Sequence, residues 1–166
     1  MNNIAIYPGS FDPITKGHED IIQRALDIFD KVYVVILDNA EKNNLFTLEE
    51  RKEMIRQVTK DYDNVEVDGL HDLAINYAKS KGARFIVRGL RVTDDFEYES
   101  KIFAFNQIID KEIDTVFLMT RLENSFISSS GVKEMASYNV DISKLVSKEV
   151  EAAILSKMKK DDATCI

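Results

Sequence analysis

The sequence predicts an α/β fold: a doubly wound, five-stranded parallel sheet with helices on both faces and a helical segment at the C-terminal end. Three observations predict it. Five short apolar runs of strand length alternate with segments whose apolar residues recur at helical spacing. That alternation places crossover helices between parallel strands. The residues with chemistry to offer all follow a strand, and sheets of this kind bind ligands beyond the carboxyl ends of their strands, where strand order reverses.

The elements follow in order. Ile4-Ala5-Ile6 reads as a buried strand, and Ile21, Ile22, Ala25, Leu26 and Phe29 share one helical face. Gly9 to His18 is then a strand-to-helix loop in which Gly9 is expected to adopt unusual backbone angles and admit a ligand closely. Gly17 leaves the helix start uncluttered, where free N–H groups attract anions. A histidine in the first turn, His18, beside the hydroxyl of Ser10 suits phosphate; the plainer reading is a tight turn with a surface histidine. Lys31 to Leu37 is a β-branched run typical of a strand covered on both faces. Asp38 to Phe46 is a polar loop, and Thr47-Leu48-Glu49-Glu50 has capping-box spacing and starts a helix towards Thr59.

Asn64-Val65-Glu66-Val67 is a short third strand. Asp72 is expected to cap a helix that buries Leu73, Ala74, Tyr77 and Ala78 and ends at Gly82. Arg84 to Val87 is the fourth strand. The helix from about Asp95 to Ile109 has Ile102, Phe103, Phe105, Ile108 and Ile109 on more than one face, so it is expected to pack on two surfaces. Asp114 to Met119 is the fifth strand, Gly131 to Tyr138 a short helix, and Ser147 to Lys157 a final amphipathic helix. Residues 1–159 are expected to form one domain and 160–166 a frayed tail.

The 166 residues suffice for one domain with a real core, and 45% apolar content argues against disorder. A net charge of −7 argues against a general nucleic-acid surface but leaves room for small phosphorylated ligands held by local cations. The single cysteine, Cys165, excludes an intrachain disulfide and points to a reducing compartment. No apolar run approaches a membrane span and no leader is visible, so a soluble cytoplasmic protein is expected.

Arg88 and Arg91 flank Gly89 after a strand, and their forked donors suit a polyanion; salt bridges to Asp94, Asp95 or Glu97 explain the same spacing equally well. Ser128-Ser129-Ser130 can hold phosphate oxygens at a helix start, or one of the serines can simply cap the helix. Lys133 adds charge there or is solvated, and His71 reads as a surface residue. No histidine–cysteine ligand cluster, Walker loop or G-x-G-x-x-G is present, so no protein-held metal is expected.

Thr15-Lys16-Gly17-His18, which follows Gly9-Ser10-Phe11-Asp12-Pro13, resembles the signature of the nucleotidyltransferase superfamily. With Arg88-Gly89-Leu90-Arg91, Asp95-Phe96-Glu97-Tyr98-Glu99 and Phe126-Ile127-Ser128-Ser129-Ser130 in the same order, nearly the whole chain is similar to the bacterial phosphopantetheine adenylyltransferases. The resemblance implies a Rossmann-like nucleotidyltransferase fold with strand order 3-2-1-4-5, a homohexamer, and transfer of AMP from ATP to 4′-phosphopantetheine in coenzyme A biosynthesis. Mg2+ would arrive with ATP, and dephospho-CoA or CoA would be product or feedback ligand. By the same resemblance His18, Ser10, Lys42 and Arg91 are the catalytic positions. ATP would meet Ser10, Phe11, His18, Gly89, Leu90, Arg91, Glu99, Asn124, Ser125, Phe126, Ile127, Ser128, Ser129 and Ser130. The acceptor would meet Ser10, Lys42, Ala74 and Arg88, with Asn106 and Glu134 along its amide-rich arm.

The chain departs from that family at Thr120, where proline is usual, near Asn124, where an aromatic is frequent, and at Ser10, where threonine is commoner and the hydroxyl is kept. Other readings are a nicotinamide mononucleotide adenylyltransferase, a cytidylyltransferase, or a non-catalytic nucleotide-binding sensor.

Overall fold

A computed structural model describes residues 3–38 and 43–163. Lys42 and Cys165 lie outside the described residues. The order of elements is β1 (Ile4–Gly9), α1 (Lys16–Leu26), β2 (Lys31–Leu37), α2 (Leu48–Val58), β3 (Val65–Leu70), α3 (Ala74–Ser80), β4 (Phe85–Leu90), α4 (Thr93–Ile109), β5 (Asp114–Met119), a 3-10 turn (Leu122–Asn124), α5 (Ser129–Ser137) and α6 (Lys148–Ala163). The sheet runs β3-β2-β1-β4-β5, and every neighbouring pair is parallel. The doubly wound sheet expected from the sequence is therefore the one observed. No helix among the described residues is long and apolar enough to cross a membrane.

Pairing between β1 and β4 covers only Ala5 with Phe85 and Ile6 with Ile86. Beyond that point β1 continues with β2 as far as Gly9, and β4 continues with β5 as far as Leu90. The two central strands thus part at the place where strand order reverses, and a crevice opens between their carboxyl ends.

Each face of the sheet is covered by an apolar layer. On one side Ile21, Ile22, Val34, Ile55, Val132 and Ile154 join α1, α2, α5 and α6 to the strands. On the other Ile6, Tyr33, Ile75, Ala78 and Ile86 seat α3. Thr47 and Glu50 form the expected capping box: Glu50 N donates to Thr47 Oγ1 at 3.2 Å and Thr47 N to Glu50 Oε2 at 2.8 Å.

Several boundaries differ from expectation. Pro8-Gly9, Gly69-Leu70 and Arg88-Gly89-Leu90 belong to strands, because pairing with a neighbour holds proline and glycine extended despite poor strand propensity. Leu73 is 57% exposed and serves as the N-cap of α3, while Ile75 is the buried residue. Asp72 instead accepts from Leu73 N at 2.6 Å. In α4 only Glu99 is buried; Phe105 and Ile108 are 64% and 79% exposed, so within one chain this helix does not pack on two surfaces. α5 begins at Ser129, two residues early, and α6 runs on to Ala163, past the expected start of the tail.

Because Ile154 is fully enclosed, α6 is part of the core. Ile154→Ala is expected to cost about 2–5 kcal/mol in urea unfolding, the range for deleting a large buried aliphatic group. A change within experimental error would show that α6 is dispensable.

Candidate active site

The turn after β1 is held open by its own side chains. The left-handed residue is Phe11, with φ 45°, rather than Gly9. Gly9 is needed for a different reason: a Cβ there would lie 2.9 Å from Phe11 Cζ. The Phe11 ring folds back against Tyr7 and His18, with edge-on centroid distances of 5.4 and 5.1 Å.

His18 occupies the third position of α1, where its Nδ1 lies 3.1 Å from Thr15 N and 3.0 Å from Thr15 Oγ1. A backbone N–H can only donate, so Nδ1 must carry a lone pair and the ring hydrogen resides on Nε2. Burial, and then the nearby charge of Arg91, lower the pKa of His18 from 6.5 to about 4. At neutral pH His18 is an uncharged ring with one nitrogen given to the helix cap and one N–H to spare. The capping and phosphate-binding readings are therefore compatible.

Both arginines are ion-paired within the site. Arg88 places its fork on Glu99, with Nε 2.6 Å from Oε2 and Nη2 on Oε1, and donates through Nη1 to the Pro8 carbonyl at 2.8 Å. Arg91 forks onto Asp95 with contacts of 3.1 and 3.0 Å. Burial works to raise the Asp95 pKa, but the hydrogen bonds and charge of Arg91 outweigh it and the net shift is downward. Of the sequence alternatives, the Arg91–Asp95 bridge is present, and both guanidinium groups still line the cavity.

The start of α5 closes the opposite wall. Ser128 Oγ accepts from Gly131 N at 3.0 Å, the expected cap. Ser129 Oγ donates to the Pro13 carbonyl at 2.8 Å, tying the α5 start to the turn after β1. Lys133 Nζ lies 2.6 Å from Asp12 Oδ2, and the same carboxylate accepts from Leu45 N at 3.0 Å and Phe46 N at 2.9 Å. Thr120 N donates to the Leu90 carbonyl at 2.7 Å, a bond that proline could not make.

These elements enclose a cavity of about 560 Å3. Its walls include Ser10, Phe11, His18, Arg88, Gly89, Arg91, Glu99, Ile127, Ser128, Ser129 and Ser130. A second cavity of about 170 Å3 shares Pro8, Arg88 and Glu99 with it and continues past Ala74, Tyr98, Ile102, Phe103 and Asn106. Other expected residues are not brought in. Leu90 is buried in β4 and absent from both walls. Asn124 lines a separate cavity beside α1, Ser125 Oγ turns back onto the Leu122 carbonyl, and Phe126 is 72% exposed. Glu134 is exposed on α5 and lines neither cavity. The Asp12–Lys133 pair was missed because it joins residues 121 apart, which no local pattern announces.

No group of three or more His, Cys, Asp or Glu side chains able to hold a metal comes together among the described residues. The cavity carboxylates Asp12, Asp95 and Glu99 are each engaged by a cation. They do not fit a resident metal.

A cytidylyltransferase-like family model matches residues 6–135. The chain belongs to the cytidylyltransferase-like family. Solved structures repeat the architecture at low identity. A nicotinate-nucleotide adenylyltransferase candidate from Vibrio parahaemolyticus superposes with a TM-score of 0.72 at 20% identity, covering 94% of this chain and 93% of that one. Nicotinic acid mononucleotide adenylyltransferase from Plasmodium falciparum gives 0.66 at 17% identity, covering 98% and 96%. A bifunctional NMN adenylyltransferase/ADP ribose pyrophosphatase from Francisella tularensis gives 0.67 at 19%, covering 99% of this chain and 54% of that one. At these identities the likeness is one of fold. Within the cytidylyltransferase-like family, the Gly-His turn, the paired arginines and the serine-capped α5 of this chain meet at one crevice.

His18 is expected to titrate near 4 by imidazole-detected NMR, with Nδ1 the unprotonated nitrogen in the folded protein. Its folded pKa lies below the value of 6.5 for an unperturbed ring, so the unfolded chain binds more protons between those two values. Stability should then fall as pH is lowered from 6.5 towards 4, be insensitive to this group above 6.5, and fall less steeply in His18→Gln. A midpoint near 6.5 would remove the assignment.

Proposed function

We propose that the chain is a phosphopantetheine adenylyltransferase, which transfers the adenylyl group of ATP to 4′-phosphopantetheine and releases pyrophosphate and 3′-dephospho-CoA. The observation that carries this reading is the smaller cavity opening beside Arg88. A phosphate at Arg88 with an amide-bearing arm running past Ala74, Tyr98, Phe103 and Asn106 matches that lining. The order of motifs along the chain supports the same choice.

An acceptor phosphate oxygen attacks the α-phosphorus in line, a P–O–P link forms, and the bond to the β-phosphate breaks. The nucleophile is already an anion, so no proton need be removed; the protein orients the reactants and stabilises developing charge. The Nε2–H of neutral His18 is the donor for the α-phosphate oxygens. Ser10 serves both substrates, Arg91 and the main-chain N–H of Ser129 at the start of α5 hold the departing β,γ-phosphates, and Lys42 and Arg88 hold the acceptor phosphate. Mg2+ would arrive with the nucleotide and would supply charge neutralisation at its phosphates. The expected site of action is the cytoplasm.

The second reading is a nicotinate or nicotinamide mononucleotide adenylyltransferase, the activity named for the structural neighbours. Pyrophosphate release with ATP and each acceptor separates them. Turnover with 4′-phosphopantetheine and none with the mononucleotides is expected, and the reverse pattern would replace the first reading by the second. A protein that binds ATP but turns over no acceptor would be a sensor. Given turnover, His18→Ala is expected to fold, bind ATP nearly as well, and lose about 10²–10³ in kcat, as for loss of one preorganised donor. Full activity with lowered Tm would reduce His18 to a cap.

We further propose a homohexamer, supported by the exposed apolar residues Phe105, Ile108 and Ile109 of α4. Sedimentation should give one species near six times the 19.0 kDa chain mass. A monomer at micromolar concentration would dispose of the assembly without touching the chemistry.

A further inference from the structure

Arg51 is the largest side chain wholly enclosed by the protein, with 1% exposure. It belongs to α2 and is not among the residues that line the cavity. Its guanidinium nevertheless ties the start of its own helix to two other segments. Nη1 donates to the Ser10 carbonyl at 2.9 Å, Nη2 to Asp38 Oδ1 at 2.5 Å, and Nε to the Thr47 carbonyl at 3.4 Å. Burying a charged group is costly, and packed apolar residues of similar volume often stabilise as well or better. A leucine or methionine could fill the space but could not hold the ends of β1 and β2 in fixed relation to the start of α2.

The segments it joins are significant. Asp38 and Thr47 flank the whole connection between β2 and α2. Ser10 is the first residue past the end of β1 and precedes Phe11 with its left-handed backbone, so its carbonyl lies beyond the help of the β1–β2 ladder. We infer that Arg51 is a positioning residue: by holding the Ser10 carbonyl from behind, it fixes the Ser10 hydroxyl against the crevice in which nucleotidyl transfer is proposed to occur. The inference rests on that reading of the crevice. It adds that a guanidinium buried behind the cavity wall sets the geometry of a hydroxyl in front of it.

The test is a double-mutant cycle on the full chain with Arg51→Lys and Ser10→Ala, read both in pyrophosphate release from ATP and acceptor and in ATP affinity by calorimetry. Lysine keeps the charge and loses the fork. In the Ser10 background Arg51→Lys is expected to lower kcat roughly tenfold at temperatures well below its Tm, and in the Ser10→Ala background by less than about threefold, because residues acting through one another are not additive. Equal costs in both backgrounds, in turnover and in affinity alike, would overturn the inference. So would a lowered Tm with unchanged kcat. Should Arg51→Lys fail to fold, Arg51→Gln goes through the same cycle, and failure of both to fold would assign Arg51 to stability alone. If the wild-type chain turns over no acceptor, the activity reading falls by itself and the affinity cycle decides the role of Arg51.

Discussion

The site depends on the early parting of two central strands. β1 and β4 pair at only two positions and then turn to their outer neighbours. Backbone groups facing the gap need partners or water. One solution is visible at Pro8, whose carbonyl accepts from Arg88 Nη1 across the gap. In a strand the N–H and C=O of one residue point to the same side, so the N–H that proline lacks would also face the gap. That accounts for proline in a central strand, where it normally costs a ladder bond. The side chain of β4 that spans the gap is also the one shared by the two cavities.

Charge follows from the same geometry. A chain of net charge −7 gathers Arg88, Arg91 and Lys133 at one crevice, each matched by a carboxylate: Glu99, Asp95 and Asp12. Desolvated cations without partners would strain the empty protein. The pairs remove that strain and hold the guanidinium planes in set directions before any ligand arrives, so less side-chain ordering remains to be done on binding. Asp12 combines this role with anchoring the backbone of Leu45 and Phe46, linking the chain that enters α2 to the start of α5.

Legibility from the sequence tracked the range of the forces involved. β5 and the Thr47–Glu50 capping box were readable because their causes lie within a few residues. The convergence of Ser10, His18, Arg88, Arg91 and the three serines was readable because topology sends every strand's carboxyl end to one edge. Strand ends at Gly9, Leu70 and Leu90 were not, because pairing rather than propensity sets them. The reach of Arg51 to Ser10, 41 residues away, leaves no periodic trace, and an arginine in an amphipathic helix ordinarily reads as solvated. The apolar residues of α4 gave no answer for a different reason: their spacing shows that they seek cover but not where the cover comes from.

The Thr15–His18 contact joins folding to chemistry at the scale of a single lone pair. One main-chain amide decides which ring nitrogen keeps its hydrogen, so the residue at position 18 accepts on one side and, in the proposed reaction, donates on the other. Lysine could supply only the donor and glutamate only the acceptor. Under the proposed role of His18 as a phosphate donor, the choice of residues at this position answers two demands at once, and residue 15 shares it: proline there would delete the amide, free the ring to adopt its other tautomer, and point a lone pair where the spare N–H now is.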